Sequence, residues 1–141
     1  MTYTRYADDI AFSSSKKNFG RDDVMSIISQ VNAILKKNGF NPQHKKLKIL
    51  PPGTKKIVLG LLVDNEKPRL PRSYKKKIEA HLRGFEKFGV LEHMHHRRFG
   101  SIYGMLDHVK GLITYASYID SEYGEKLRVR FDNVVKAAGL E

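Results

Sequence analysis

The sequence contains no cysteine among its 141 residues. A disulfide framework, a thiolate metal site and a cysteine nucleophile are therefore excluded. Long hydrophobic runs are also missing, since no stretch approaches the ~18 apolar residues of a membrane span. Residues 1–5 lack the apolar segment of a signal peptide. We therefore expect a cytoplasmic protein with no membrane partner.

Acidic residues are fewer than basic ones. The chain has 15 Asp and Glu against 26 Lys and Arg, which gives a formal net charge of +11. A strongly basic chain favours a polyanionic partner, and nucleic acid is the first candidate. A solvated basic surface on an unrelated protein would give the same composition. With 40% hydrophobic residues, the chain is long enough for one folded domain or for two small layers sharing a core.

Residues 3–13 are aromatic and β-prone at both ends but are interrupted by Asp8 and Asp9. This pattern predicts two short strands that meet at a tight turn, with the acids at the hairpin tip. An amphipathic helix follows, with acidic residues suited to its first turn and residues 36–39 suited to its end. Its apolar stripe consists of Val24, Ile27, Ile28, Val31, Ile34 and Leu35.

The next segment predicts further strands. Residues 46–50 are β-prone before a Pro-Pro-Gly turn, and an apolar run at 57–63, split by Gly60, predicts a β-ribbon that returns to 68–70. From Ser73, a predicted N-cap, the pattern is helical to the end, beginning with a basic helix to Phe88. Two further helical stripes cover 99–116 and 123–138. The chain therefore changes from mixed α/β to all-α near residue 71.

Asp8 and Asp9 are the first candidates for chemistry. Adjacent acids on a strand point to opposite faces, so a turn must lie beside them if both are to serve one site. Carboxylate pairs hold the divalent cations of two-metal phosphoryl transfer. A bare pair is weak evidence, because most lie on solvated loops or at helix N-termini, as the Asp22-Asp23 pair does by our interpretation.

The context of the pair adds specificity. The Tyr6-Ala7-Asp8-Asp9 segment, with its β-prone flanks and following helix, resembles the catalytic hairpin of reverse transcriptases. Residues 39–46 resemble the lysine-bearing segment after that helix, and residues 58–64 resemble the glycine-centred primer-grip hairpin. Residues 69–74 and the basic helix resemble the entry to the thumb of retron and related bacterial enzymes, and 104–115 resembles the later thumb helices. The series covers nearly the whole chain in the family order.

The resemblance implies an α+β fold: the C-terminal part of a polymerase palm at residues 1–70, with β-hairpins packed on an amphipathic helix, then an all-α helical thumb at 71–141. It implies a nucleotidyltransferase, an RNA-directed DNA polymerase that adds deoxynucleotides to a primer. The implied partners are an RNA template, a DNA primer, a deoxynucleoside triphosphate (dNTP) and a structured noncoding RNA. The implied cofactor is Mg²⁺, with Mn²⁺ as a substitute.

The resemblance also assigns site residues. Asp8 is expected to bind the metal directly, and Asp9 to act as a second ligand or as electrostatic support. Lys46, or its neighbour Lys45, is expected to stabilise the leaving pyrophosphate. The expected nucleic-acid-binding residues are Tyr6 at the primer terminus, Gly60 and Leu61 in the hairpin, and Lys75, Lys76, Lys77 and Arg83 on the basic helix. Gly60 has a second interpretation as a bulge, and the lysines have one as solvated cations.

Some features depart from the family pattern. Gln43 and Leu47 stand where the family has Asn and Thr, which leaves the choice between Lys45 and Lys46 open. Family members carry fingers and another metal-binding aspartate before these motifs. We therefore expect the chain to be inactive without an N-terminal fingers and palm portion, in cis or in trans. The alternatives are a non-catalytic nucleic-acid-binding fragment and a subunit of a split enzyme.

A histidine-rich stretch at residues 92–98 is a further motif. Histidines at this spacing can bind Zn²⁺, but no cysteine accompanies them and Arg97 and Arg98 disfavour a cation. We interpret the stretch as a loop between helices that contacts nucleic acid or solvent.

Overall fold

The structure, a computed structural model, describes residues 1–140. Within them the fold is α+β, with five α-helices and two antiparallel β-hairpins. The chain forms two compact units, Met1–Ile49 and a second that begins at Leu50. The division into palm and thumb at residues 70 and 71 stays a prediction. None of the helices described is long and apolar enough to cross a membrane.

The first unit begins with the predicted hairpin. Strand β1 (Thr2–Tyr6) pairs with β2 (Asp9–Ser13) across a two-residue turn. Tyr3 lies opposite Phe12, and their ring centroids are 5.3 Å apart. This aromatic pair across the strands stabilises the register of the hairpin.

Helix α1 (Arg21–Lys37) follows where the apolar stripe predicted it. The Gly20 backbone N–H donates to the Asp23 carboxylate at 2.9 Å. This bond satisfies one of the backbone N–H groups at the helix N-terminus that have no partner within the helix. Beyond the C-terminus, Gly39 takes the left-handed conformation with φ 80° that commonly terminates helices.

The first unit has no buried residue. Five of the six residues of the α1 apolar stripe are half-buried and only Ile34 is exposed, and the packing of the β1–β2 hairpin on this helix stays a prediction. Several apolar side chains, including Met25 and Ile34, remain exposed. The hydrophobic stripe therefore forms a helix whose apolar face is half-buried and not fully buried within the described residues.

The strand predicted at 46–50 is also wrong. The chain forms one turn of 3₁₀ helix at His44–Lys46 and then runs without regular structure to the two prolines. A β-prone segment becomes a strand only when another strand satisfies its backbone groups, and no strand within residues 1–140 lies beside this one. The second hairpin does form, from β3 (Ile57–Val58) and β4 (Leu61–Leu62). Its predicted return is present as a bridge between Leu62 and Arg69, with both N–H···O distances 2.9 Å.

Four helices complete the second unit: α2 (Arg72–Phe88), α3 (Val90–His96), α4 (Ile102–Ile119) and α5 (Ser121–Ala137). The three predicted helices correspond to α2, α4 and α5. Ser73 is not the N-cap as predicted; the N-cap is Pro71, two residues earlier, and its ring fixes φ near the helical value. The predicted loop at 92–98 is wrong in part, because α3 extends to His96. Gly89, with φ 83°, lets the chain turn back so that Val90 and His93 are buried.

The core lies among these helices. Leu70 is buried in it and Leu61 packs against it, so the second hairpin is attached to the helical unit. The helices also meet through Arg130 on α5, whose guanidinium donates to the carboxylates of Glu79 and Glu86 on α2 at 2.8–3.1 Å. The buried apolar residues are Leu70, Ile78, Leu82, Phe85, Val90, Met105, Leu106, Val109, Ile113, Ala116, Leu127 and Phe131.

Candidate functional site

The carboxylate pair lies at the tip of the first hairpin. Ala7 and Asp8 form the two-residue turn, and Asp9 is the first residue of β2. Asp9 lies directly opposite Tyr6, so the side chains of Tyr6 and Asp9 share one face of the hairpin. Ala7 has φ 50°, a left-handed conformation that costs an alanine ~1–2 kcal/mol. The Arg5 Nε donates to the Ala7 carbonyl at 2.8 Å and holds this turn. Backbone strain of this kind concentrates at functional sites.

The hairpin tip suits a hard divalent cation in the type of its ligands. Asp8 and Asp9 are both exposed and both supply carboxylate oxygens, which Mg²⁺ and Mn²⁺ prefer. The number of ligands is too small, however. Among residues 1–140 no three His, Cys, Asp or Glu side chains are grouped as metal ligands. Two carboxylates by themselves are too few to form a complete site for such a cation.

The predicted lysine lies in the same compact unit as the carboxylates. Lys46 ends the 3₁₀ turn, where its backbone N–H donates to the Gln43 carbonyl at 2.9 Å, and Lys45 precedes it in the same turn. Both lysines are exposed. In the described residues neither forms an ion pair with Asp8 or Asp9. The choice between the two lysines stays open.

Gly60 lies in the turn of the second hairpin. Leu59 and Gly60 have φ 49° and 81°, the two positive values of a type I′ turn, so the interpretation of Gly60 as a bulge within a strand is wrong. A Cβ at Gly60 would meet nothing within 4 Å. Space above this backbone is therefore open. Leu61 differs, because its side chain packs against the helical core.

The four predicted cations on α2 are not equivalent. Lys76 and Lys77 are exposed, and the Arg83 side chain is 77% exposed with its Nε 3.5 Å from Glu79. Lys75 is instead engaged within the protein. Its ammonium is 3.9 Å from the Asp120 carboxylate and 4.4 Å from the centroid of the Tyr123 ring.

The burial and pairing of two histidines, His81 and His93, were not predicted from the sequence. His81 on α2 and His93 on α3 are 4% and 5% exposed, and the distance from His81 Nδ1 to His93 Nε2 is 3.0 Å. Burial, with the neighbouring His93, lowers the pKa of His81 to about 4, and burial also lowers the pKa of His93. His81 stands three residues after Ile78, so helical spacing could have placed it on the apolar face. His93 belongs to the histidine-rich stretch at residues 92–98, but no sequence signal indicates its burial.

Comparison with known proteins identifies the family. Retron Ec73 reverse transcriptase of Escherichia coli is 32% identical to the chain over 139 residues, which cover 96% of the chain. Retron Ec86 reverse transcriptase, also from Escherichia coli, is 28% identical over 142 residues and 99% of the chain. Retron Mx162 reverse transcriptase of Myxococcus xanthus is 31% identical over 98 residues and 62% of the chain.

The chain is a member of the retron-like reverse transcriptase family. It spans 39% and 38% of the length of the two Escherichia coli retron reverse transcriptases and 20% of the length of the Myxococcus xanthus one. The Retron Ec86 match extends over both compact units. No family model matches the chain, and no solved structure matches it significantly.

Proposed function

We propose that the chain is the C-terminal palm and thumb portion of an RNA-directed DNA polymerase, a nucleotidyltransferase that extends a primer with deoxynucleotides. The observation that carries this proposal is the Tyr6-Ala7-Asp8-Asp9 hairpin tip, with both carboxylates exposed on a two-residue turn. The tip occurs in a chain that aligns with retron reverse transcriptases over nearly its whole length.

Each side chain has a proposed role in that reaction. The primer 3′-oxygen forms a bond to the α-phosphorus of the dNTP, and the bond to pyrophosphate breaks. Asp8 binds the metal directly and Asp9 supports it, while Lys46 or Lys45 stabilises the negative charge of the leaving pyrophosphate. Bound Mg²⁺, or Mn²⁺ in its place, supplies positive charge at the reacting phosphate. Tyr6 shares a face with Asp9 and contacts the primer terminus.

The second unit holds the template–primer duplex. The exposed cations Lys76, Lys77 and Arg83 contact backbone phosphates, which gives affinity that depends on salt and not on base sequence. Gly60 offers open backbone at the tip of the second hairpin for approach to the primer. A structured noncoding RNA is a further proposed partner, beside the RNA template and the DNA primer.

Two observations support completion of the active site by a further polypeptide segment, in cis or in trans. The carboxylates are an incomplete ligand set among the described residues. No apolar side chain of the first unit is fully buried, and Met25, Ile34 and Phe40 are exposed. A further polypeptide segment would cover part of this exposed apolar surface. The proposed occupant is an N-terminal fingers and palm portion.

Asp8→Asn tests the catalytic assignment. We expect this variant to abolish primer extension on an RNA template by the complete enzyme, because an amide cannot replace the charge and coordination of a carboxylate ligand. The measurement is single-nucleotide addition in Mg²⁺. Asp22→Asn is the matched control, since the same change at the first turn of α1 should leave extension within about twofold. Normal extension by Asp8→Asn would refute the assignment.

A non-catalytic nucleic-acid-binding function is the second candidate. The net charge of +11 and the incomplete ligand set favour it for the chain acting alone. Primer extension by the chain, repeated with the polypeptide encoded directly upstream, separates the candidates. Extension that appears only with the second polypeptide supports a split or completed enzyme, and duplex binding without extension in either case supports the binding module.

A further inference from the structure

An open cleft of about 650 Å³ lies between α2 and α3. Three cationic side chains line it, Arg83 and Lys87 from α2 and Arg97 from the end of α3, against one acid, Glu92. Lys87 and Arg97 are exposed and form no ion pair within residues 1–140. The cleft therefore carries an excess of positive charge that the protein does not neutralise.

The floor of the cleft contains the buried imidazole of His93. Its Nε2 is occupied by the 3.0 Å contact with His81 Nδ1. Its Nδ1 lies beside Gly84, where a Cβ would overlap the ring. In the described residues Nδ1 has no hydrogen-bond partner in the protein, and no fully buried polar side-chain atom is left unpaired. Nδ1 therefore opens to the cleft that His93 lines.

The histidine pair can present a hydrogen-bond donor to this cleft. A neutral imidazole has one N–H donor and one acceptor nitrogen. When His81 Nδ1 donates to His93 Nε2, the proton of His93 is on Nδ1 and points toward the cleft. An N–H donor in a cleft that is also lined by Lys87, Arg83 and Arg97 suits an oxyanion.

The cleft also continues a basic stripe along α2. Lys76, Ala80, Arg83 and Lys87 follow each other at helical offsets of 0, 4, 7 and 11, so they share one face of the helix. Eleven residues of α-helix extend ~16 Å. A stripe of that length matches a polymer of phosphates better than it matches a single free anion.

We propose that the α2–α3 cleft binds a backbone phosphate of nucleic acid, with His93 Nδ1, Lys87 and Arg97 as its donors. The inference rests on the proposed function in one respect, that the polymer is the template–primer duplex. The site is separate from the carboxylate hairpin, which lies in the other compact unit.

The test is an NMR titration of the 141-residue chain with a short RNA–DNA hybrid duplex. We expect the Gly84 amide and the His93 ring nitrogens to shift and to saturate. The double variant Lys87→Gln/Arg97→Gln should lose these shifts, and the slope of log Kobs against log salt should decrease in magnitude by about 2. The control Arg128→Gln/Lys136→Gln removes the same charge from exposed positions of α5 and should retain the shifts.

Three results would overturn the proposal. The first is duplex binding with no change at Gly84 or His93, and the second is equal loss in the α5 control. The third is an equal response to inorganic phosphate or to polyglutamate at the same concentration, which would indicate a site for any anion. Unchanged thermal unfolding of the double variant confirms that it folds. The proposed function is tested independently of this titration, by primer extension with the Asp8→Asn variant.

Discussion

The imidazoles of His81 and His93 are buried between helices, and the groups around them are mostly cationic. His81 faces His93, Arg97, His108 and Lys77, and each of these disfavours a further positive charge. His93 meets Arg97 and His96 in addition. Burial is the largest cause of both lowered pKa values, so the pair is neutral at neutral pH.

This pair makes the stability of the second unit depend on pH. In the unfolded chain a histidine titrates near 6.5, whereas the pKa of His81 in the folded chain is about 4. Between pH 6.5 and pH 4 the unfolded state therefore binds more protons than the folded state. The free energy of unfolding should be highest above about pH 6.5 and should decrease as the pH drops toward 4. At ~1.4 kcal/mol per pKa unit the loss from His81 is up to ~3 kcal/mol.

Urea unfolding at pH 7.5, 6, 5 and 4 measures this effect. His81→Gln cannot take up the proton and should flatten the profile, while His95→Gln at an exposed position should leave it unchanged. A wild-type profile that is flat between pH 6.5 and 4 would contradict the buried neutral pair.

Among the elements, α2 and α3 approach so closely that only glycine fits at residue 84. A Cβ there would overlap the His93 ring, although the backbone of Gly84 is ordinary helix. Gly111 on α4 has the opposite surroundings, since a Cβ would meet nothing within 4 Å. The two residues are a matched pair of helical glycines with different packing.

We expect opposite effects from alanine at these positions. Gly111→Ala should stabilise the protein by ~0.5–1 kcal/mol through helix propensity alone. Gly84→Ala gains the same propensity but must displace His93, and overpacking of this kind costs ~1–3 kcal/mol, so a net loss is expected. Chemical denaturation of both variants measures the difference. Stabilisation by both would show that α3 moves away from α2 without cost.

Element prediction from the sequence succeeded where local pattern and burial agree. The stripes of α4 and α5 predicted helices whose core residues, such as Val109 and Leu127, are indeed buried. The strand predicted at 46–50 does not form because its backbone groups have no partner strand in the described part of the chain, which composition does not reveal. The α3 helix was missed because its inward face, Val90 and His93, is short and partly polar.

On the scale of the whole molecule, the two compact units differ in what they bury. All fully buried side chains of the described residues belong to the second unit. Local opening is easiest where few apolar contacts are made. The first unit therefore lacks the interactions that protect backbone hydrogen bonds in α4 and α5.

Hydrogen exchange should report this difference. We expect amides of β1, β2 and α1 to exchange on the order of 100-fold faster than those in the centres of α4 and α5, corresponding to about 3 kcal/mol less opening free energy. Addition of the polypeptide encoded upstream should slow exchange in α1 if it covers Met25 and Ile34. Equal protection of α1 and α4 in the chain alone would contradict the contrast in burial.

The sequence by itself determined the hairpin with Asp8 and Asp9 at its tip, the amphipathic α1, the three long later helices and the family resemblance. These follow from local properties, namely turn chemistry, residue periodicity and motif order, which can be recognised in a short stretch of sequence. The tertiary structure decided that Lys75 contacts α5, that Leu61 and Leu70 join the helical core and that His93 meets His81. These depend on distances between residues far apart in the chain, which no local pattern contains.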